Sequence, residues 1–265
     1  MSALLFQKDG HVVTLTINRP ESRNPLGEPG DGRLFADAVD RVNQDRDIRC
    51  AILTGAGSAF SAGGNLKAMR EHSGAFAGGP ARIREGYRDS IHRMVRALWI
   101  IEVPLIAAIN GAAIGLGNDV ACLADIRIAA DTAVFGATFL KIGLVPGDGG
   151  AWILPRVIGQ SRAAELLFTA DTVDAQTALQ WGLVSKLVSL EKLMDEARAL
   201  AARICRQPPD VLRMTKKLMR EAQSANFETI MEMSAAMQAL AHATDDHREA
   251  LDAFFEKRPP EFKGE

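Results

Sequence analysis

The sequence predicts an α/β core followed by a helical extension. Short apolar runs, typical of strands buried on both faces, alternate with helical patterns up to about residue 161. Beyond that point strand patterns nearly stop, and helical patterns broken by a few Gly and Pro residues take over. These observations favour one α/β unit with a helical region attached to it.

The first half of the chain supplies the strand patterns. Residues 12–17 alternate threonine with aliphatic side chains, as in a half-buried strand, and residues 21–32 are rich in turn-forming residues. A helix follows, with its apolar residues on one face. The runs predicted as strands buried on both faces are 50–54, 105–109 and 126–129, and the longest helical stretch between them is 81–99.

The second half supplies the helical patterns. The helix that follows Pro208-Pro209 carries a basic run whose opposite face is apolar, and this pattern favours a solvated basic face over a nucleic-acid contact. The basic residues are Arg213, Lys216, Lys217 and Arg220. The predicted helices are 162–168, 174–181, 190–206, 209–221, 225–242 and a last one that ends near residue 255.

Composition excludes several classes of protein. The 265 residues include 31 basic and 33 acidic side chains, giving a net charge of −2, and 47% of residues are hydrophobic. This balance is that of an ordinary globular protein and excludes a disordered tail protein or a strongly basic nucleic-acid binder. The start of the chain lacks the features of a secretory signal, and the stretch 103–118 is too broken for a membrane helix. We therefore expect a soluble protein in the reducing cytoplasm.

Metal and dinucleotide sites are not predicted. Three well-separated cysteines and five scattered histidines show no ligand spacing, and no H-E-x-x-H, G-x-S-x-G or Walker A pattern occurs. Gly115-Leu116-Gly117 does not complete a dinucleotide fingerprint, because Val120 stands where the third glycine belongs.

Two glycine-rich segments, 55–67 and 110–119, each follow a predicted buried strand. Turns of this kind present backbone N–H groups at a helix N-terminus, where the helix dipole adds positive potential. Two such turns side by side could hold one oxygen with two donors, as an oxyanion hole does. Tight strand-to-helix packing explains the glycines equally well, so the residues alone leave both interpretations open.

Five segments in order resemble the crotonase (enoyl-CoA hydratase/isomerase) superfamily, over nearly the whole chain. They correspond to the N-R-P-x-x-x-N turn, the F-x-A-G-A-D-[IL]-K segment, the N-G-x-A-x-G-G-G-x-E segment, the F-G…G-x-x-P-x-x-G-G block and the terminal F-x-E-K-R-x-P-x-F. In this sequence the segments are 18–24, 60–67, 110–119, 135–150 and 255–262.

The resemblance implies a fold, an assembly and a substrate. It implies a spiral of ββα units over residues 1–200, which binds a CoA thioester, and a helical trimerisation region over residues 201–265. It also implies a homotrimer or a dimer of trimers, in which residues 255–262 lie near a neighbour's CoA site. No cofactor is permanently bound, because coenzyme A is part of the substrate. The resemblance places the protein in acyl-CoA metabolism, such as that of fatty acids, with no nucleic-acid or membrane partner.

The resemblance assigns the oxyanion hole to the backbone N–H groups of Gly64 and Leu116. A leucine keeps the backbone donor and adds bulk beside the acyl group. Losing one such donor typically raises the barrier by about 3–4 kcal/mol. Arg23 is expected near the CoA nucleotide, although a plain surface arginine is an equal alternative. The full set of residues that the resemblance places against CoA or substrate is Ser22, Arg23, Ala62, Gly63, Asn65, Leu66, Lys67 and Phe139.

The acid–base residues depart from the family pattern. Enoyl-CoA hydratases use two glutamates on either side of a water molecule; here the first position is Asp119 and the second is Phe139, which transfers no proton. Asp148, in the Pro-Gly-Asp-Gly-Gly segment, stands nearby as a substitute. The alternative is that Asp148 is the N-cap of the helix predicted at 149–158. Tyr87 and Lys141 reach the same region by position alone.

These residues predict an acyl-CoA lyase, and most directly an enoyl-CoA hydratase in which Asp119 and Asp148 move the protons. A crotonase-type hydrolase or isomerase that uses a single aspartate is the alternative enzyme. A binder of CoA thioesters without turnover is the alternative from another class of protein, and substitution of either aspartate would separate it from the enzymes.

Overall fold

The computed structural model, which describes residues 2–265, has a large sheet at its centre. Its first two strands form an antiparallel hairpin, and every later pairing is parallel. The strands, in spatial order, are β1 (Leu4–Asp9), β2 (Val12–Ile17), β3 (Cys50–Gly55), β5 (Leu105–Ile109), β7 (Ile126–Ala130) and β10 (Lys186–Val188). The four strands predicted from the sequence are confirmed, and β1 and β10 are additional.

A second sheet of short strands lies beside the first. Each of its first three strands follows a strand of the large sheet along the chain, so the fold repeats a ββα unit. This repeat confirms the predicted spiral. The strands are β4 (Ala59–Ser61), β6 (Ala112–Ile114), β8 (Val134–Gly136) and β9 (Thr172–Asp174), and sequence patterns missed them because three residues carry too little periodicity.

The helices agree with the predicted ones to within a few residues. The stretch predicted at 81–99 is continuous but contains a π-helical turn, Tyr87–His92. The helices are α1 (Asp31–Gln44), α2 (Leu66–Arg70), α3 (Pro80–Gly86), α4 (Arg93–Trp99), α5 (Leu116–Leu123), α6 (Gly150–Ile158), α7 (Gln160–Thr169), α8 (Ala175–Gln180), α9 (Leu193–Cys205), α10 (Pro209–Glu221), α11 (Phe227–His242) and α12 (Asp245–Glu256).

The large sheet is buried on both faces, as its continuous apolar strands predicted. In β3, Ala51 and Leu53 belong to the main core, whereas Cys50 and Ile52 face a second core that α9 closes. Burial on both faces selects apolar residues at every strand position rather than at alternate ones. Since α9 packs on the sheet as far as Cys205, the predicted division at residue 200 falls inside one helix.

Arg213 and Lys216 of α10 are buried and Arg220 is half-buried, so the predicted solvated basic face is wrong for these three residues; Lys217 is exposed. Lys216 donates to the Val103 carbonyl and pairs with Asp125, both at 2.7 Å, and burial lowers the pKa of its ammonium to about 8. Arg220 pairs with the other Asp125 oxygen at 2.8 Å, and Arg213 donates to Glu102 at 2.7 Å. These ion pairs and hydrogen bonds therefore hold α10 against the core, because a buried cation needs a carboxylate or a carbonyl oxygen as its partner.

The last two helices expose apolar side chains. No residue of α11 is buried, and the Phe254 and Phe255 side chains in α12 are 76% and 77% exposed. Large contiguous apolar surfaces of this kind mark contact sites in soluble proteins. Within residues 2–265, none of the helices has the length and apolar character needed to cross a bilayer.

The docking of α10 makes a testable prediction about stability. Asp125→Asn removes the carboxylate that pairs with Lys216 and Arg220, and it leaves two cations short of a partner. We expect the free energy of unfolding to fall by about 3 kcal/mol, measured by urea denaturation. Arg46→Ala is the control, because it removes an exposed ion pair to Asp210 of the same helix and leaves the urea midpoint nearly unchanged. Equal effects of the two substitutions would contradict the buried pair's role.

Candidate active site

A cavity of about 290 Å³ lies between the two glycine-rich turns, the segment after β8 and the helical stretch 80–99. Most of its lining residues are glycines or have apolar side chains. The side chains that carry a polar group are those of Asp148, Tyr87, Lys141 and Thr138. The lining residues are Ala62, Gly63, Gly64, Leu66, Met69, Tyr87, Ile91, Ile114, Gly115, Leu116, Thr138, Phe139, Lys141, Ile142, Leu144, Gly147 and Asp148.

The two glycine-rich turns meet at Gly63. This residue has φ +91°, and a β-carbon there would lie 2.5 Å from the Ile114 carbonyl oxygen and 3.6 Å from the Leu116 amide nitrogen. Only glycine allows both the conformation and the approach. The turns therefore bring the backbones of Gly64 and Leu116, which both border the cavity, close together.

The amide of Leu116 is the first in α5, so it has no acceptor within the helix. The preceding residue, Gly115, donates to the Gly136 carbonyl at 2.7 Å, and this bond fixes the start of the helix. The helix dipole adds positive potential at this end. Leu116 therefore carries a backbone donor without a helical acceptor, and it borders the cavity.

Asp119 and Asp148 lie together, but only Asp148 borders the cavity. Asp119 is 1% exposed in α5 and packs so tightly against Gly150 that a β-carbon at position 150 would overlap its carboxyl group. Asp119 therefore lies behind Asp148 rather than beside the cavity. No donor in the described chain reaches Oδ2 of Asp119 or Oδ1 of Asp148.

The pKa values of both carboxyl groups are raised. Burial raises the pKa of Asp119 well above its usual value, and the neighbouring charge of Asp148 raises it further. Burial also raises the pKa of Asp148, whereas its hydrogen bond with Asp119 opposes that rise. The larger rise at Asp119 favours a protonated Asp119 beside an ionised Asp148.

The turn that carries Asp148 lies just before α6 and is held by one hydrogen bond from His92. His92 donates through Nε2 to the Gly147 carbonyl at 2.7 Å. Gly149, with φ +104°, is the N-cap of α6 and contributes no side-chain hydrogen bond. The alternative interpretation of Asp148 as the helix N-cap is therefore wrong. Its carboxyl group is instead directed to Asp119 and the cavity.

The π-helical turn places aromatic and apolar side chains at the cavity wall. Tyr87 and Ile91, four residues apart, both border the cavity. The Tyr87 ring packs edge-on against Phe76, with 5.9 Å between ring centroids. π-turns inside α-helices recur at functional sites because they redirect side chains. Sequence periodicity does not distinguish such a turn from regular α-helix.

The other predicted binding residues divide into two groups. Ala62, Gly63, Leu66 and Phe139 border the cavity. Four residues lie outside it: Asn65 is the N-cap of α2 and accepts from the Ala68 amide at 3.0 Å, whereas Ser22, Arg23 and Lys67 are exposed.

A second apolar cavity of about 300 Å³ adjoins the first. The two share Leu66, Met69, Tyr87, Ile142 and Leu144 as lining residues, so they form a continuous apolar path from the acidic pair outwards. Apart from His72 and Tyr87, its lining is aliphatic or aromatic, which suits an apolar group. Within residues 2–265 no cluster of His, Cys, Asp or Glu has the geometry to hold a metal ion.

Comparisons with known proteins agree over the full length. The enoyl-CoA hydratase/isomerase family model matches residues 7–265. The chain is 36% identical over 265 residues to 1,2-epoxyphenylacetyl-CoA isomerase of Escherichia coli, covering 100% of this chain and 99% of that protein. It is 35% identical over 261 residues to crotonyl-CoA hydratase of Syntrophomonas wolfei, covering 98% and 97%. The crystal structure of enoyl-CoA hydratase from Bacillus anthracis superimposes with TM-score 0.92 at 31% identity, covering 100% of both chains.

The packing of Gly150 against Asp119 can be tested by stability. Gly150→Ala places a methyl group into the Asp119 carboxyl, so the buried pair must shift. We expect the free energy of unfolding to fall by about 1–3 kcal/mol in urea denaturation, although alanine favours helices. Gly79→Ala is the control, because a β-carbon at that helix start meets no atom within 4 Å. If both variants were equally stable, the contact would not constrain the site.

Proposed function

The chain belongs to the enoyl-CoA hydratase/isomerase family, and on this premise we propose that it is an enoyl-CoA hydratase. The reaction is the reversible addition of water across C2 and C3 of a 2-enoyl-CoA thioester. The observation that carries the proposal is one cavity lined both by Asp148, its single acidic side chain, and by Gly64 and Leu116, the residues assigned to the oxyanion hole.

The two amides supply the electrostatic part of the proposed chemistry. Addition of water at C3 moves negative charge to the thioester oxygen, and two preorganised N–H donors stabilise that charge. The start of α5 strengthens the Leu116 donor through the helix dipole. The side chain of Leu116 narrows the cavity beside the acyl group.

The acidic pair supplies the proton transfer. Asp148 takes one proton from water while the water oxygen bonds to C3 and the C2=C3 electrons move towards the thioester carbonyl. Asp148 then returns the proton to C2 as the enolate collapses, so the net change is one added water. Asp119 keeps its own proton and, through its hydrogen bond, opposes the rise in the pKa of Asp148.

The apolar walls of the cavity suit a substrate with an apolar acyl group. Leu66, Met69 and Ile142 connect it with the adjoining apolar cavity, so a chain longer than four carbons has space beyond C3. The exposed residues Ser22, Arg23 and Lys67, together with Asn65, remain assigned to the CoA portion by resemblance, and coenzyme A enters and leaves as part of the substrate.

An isomerase is the second candidate, and one observation favours it. The cavity offers a single carboxylate, and a single base suffices to remove a proton from one carbon of an enoyl thioester and return it to another. A relative at 36% identity is named 1,2-epoxyphenylacetyl-CoA isomerase, so isomerases of CoA thioesters occur among the similar proteins. A shift of the double bond leaves the mass unchanged, whereas hydration adds one water.

A homotrimer or a dimer of trimers is part of the proposal. The exposed apolar side chains of α11 and α12, such as Phe227, Phe254 and Phe255, need a covering surface, and a second copy of the chain supplies one. Residues 201–265 are the proposed trimerisation region, and action in the cytoplasm stays a prediction.

Incubation of the purified protein with 2-enoyl-CoA and 3-hydroxyacyl-CoA thioesters of graded chain length tests the reaction. We expect mass spectrometry to detect gain or loss of one water with CoA still attached. A double-bond shift without mass change would establish the isomerase instead. Release of free CoA would indicate a hydrolase, and tight binding of an unchanged thioester would overturn every enzymatic assignment.

Substitution of the two aspartates tests their unequal roles. We expect Asp148→Asn to lower kcat by about 10²–10⁴-fold, because it removes the group that faces the substrate. Asp119→Asn keeps a hydrogen-bond donor behind Asp148, so it should lower kcat less. The wild-type rate should increase with pH through a pKa above that of a free aspartate, since Asp148 must be ionised and burial raises its pKa. Equal losses in both variants would contradict this assignment.

A further inference from the structure

The cavity contains a second group that can act on the reacting water. Within the described chain, the titratable side chains that border it are Asp148, Tyr87 and Lys141. Lys141 lies in the exposed 3₁₀ segment Thr138–Ile142, at the rim. Tyr87 is half-buried on the wall that faces the Asp148 turn, and it is the one tyrosine in the sequence.

Packing holds the Tyr87 ring against the turn that carries Asp148. A β-carbon on Gly147 would lie 3.5 Å from Cε1 of Tyr87, which is ordinary van der Waals contact. Phe76 packs edge-on against one side of the ring, and His92, which holds the Gly147 carbonyl, packs edge-on at 6.0 Å between centroids. The same histidine therefore orders both the turn and the tyrosine.

The phenol of Tyr87 is a free donor. Burial raises its pKa, and the negative charge of Asp148 raises it further, so the group is protonated at neutral pH. No hydrogen bond from the described chain contributes to this shift. A protonated hydroxyl in a largely apolar cavity needs an acceptor, and the chain does not supply one.

We propose that Tyr87 is a catalytic residue that donates a hydrogen bond to the oxygen of the reacting water, or of the C3 hydroxyl in the reverse direction, opposite Asp148. The inference rests on the proposed hydratase function. Tyr87 transfers no proton: Asp148 takes the proton from water and returns it to C2, while the phenol orients the oxygen that bonds to C3. In dehydration, the same hydrogen bond stabilises the departing oxygen.

This role accounts for the loss of the second glutamate. Phe139 offers the water no polar partner, and Asp119 lies behind Asp148, outside the cavity lining. A water bound to Asp148 alone would be held on one side and poorly oriented toward C3. Tyr87 supplies the second contact from a different element, the π-helical turn, and Phe139 is then free to serve as an apolar wall.

Tyr87→Phe removes the hydroxyl and keeps the ring that packs on Gly147 and Phe76. Two reactions are measured with each variant: hydration of a 2-enoyl-CoA, and exchange of the C2 protons of the saturated acyl-CoA in deuterated water. The exchange needs Asp148 and the backbone amides but no added water. It therefore serves as an internal control for folding, binding and proton abstraction.

We expect Tyr87→Phe to lower kcat for hydration on the order of 10²-fold with little change in KM, while C2 exchange stays close to wild type. Asp148→Asn should lose both reactions. Hydration by Tyr87→Phe at the wild-type rate, or equal losses in both reactions, would overturn the role of the phenol. A wild-type protein that exchanges C2 protons but hydrates no thioester would refute the hydratase function, and the inference with it.

Discussion

The contact between Gly63 and the Ile114 carbonyl is the constraint on which the site depends. It joins the first glycine-rich turn to the strand that leads into the second turn, at a distance no side chain allows. The same two units meet again where Gly117 of α5 packs on the backbone of Ser61. These turns fix the start of α5. The start of α5 in turn determines how deeply Asp119 lies in the core. The position of Asp119 then determines the space left for Gly150 and the turn before it.

Sequence patterns predicted the fold where burial dictates composition. β3 and β5 consist of consecutive buried residues, so their position is evident without an alignment. The short strands of the second sheet depend on neighbours distant in sequence, and three residues do not reveal them. The burial of Arg213 and Lys216 in α10 was not predicted, because periodicity identifies two faces but not which side chains are buried. Its basic face meets the Asp125 carboxylate and backbone carbonyls, which composition does not reveal.

In the candidate site, too, some residues could be predicted from the sequence and others could not. Gly64 and Leu116 were predicted through a family resemblance, because backbone donors follow from the turn and not from the side chain. That Asp148 faces the cavity and Asp119 does not was beyond sequence reasoning. The difference depends on the left-handed conformation of Gly149 and on the hydrogen bond from His92 to Gly147, whose partners lie 55 residues apart in the sequence. The π-turn that directs Tyr87 is equally hidden, since its residues fit a regular helix.

The charge of the site follows from the burial of its acids. Two ionised carboxylates in contact are costly where both are buried, so the raised pKa values of Asp119 and Asp148 favour one proton and one negative charge on the pair. A single negative charge suits the proposed reaction: as Asp148 takes a proton, the negative charge moves to the thioester oxygen, where the proposed donors, the amides of Gly64 and Leu116, would stabilise it. A second ionised acid at position 139 would oppose that movement. In the proposed mechanism Asp148 is therefore the one group that gains a proton and loses its charge. The apolar ring of Phe139, the protonated Asp119 and the neutral phenol of Tyr87 add no second charge to the site.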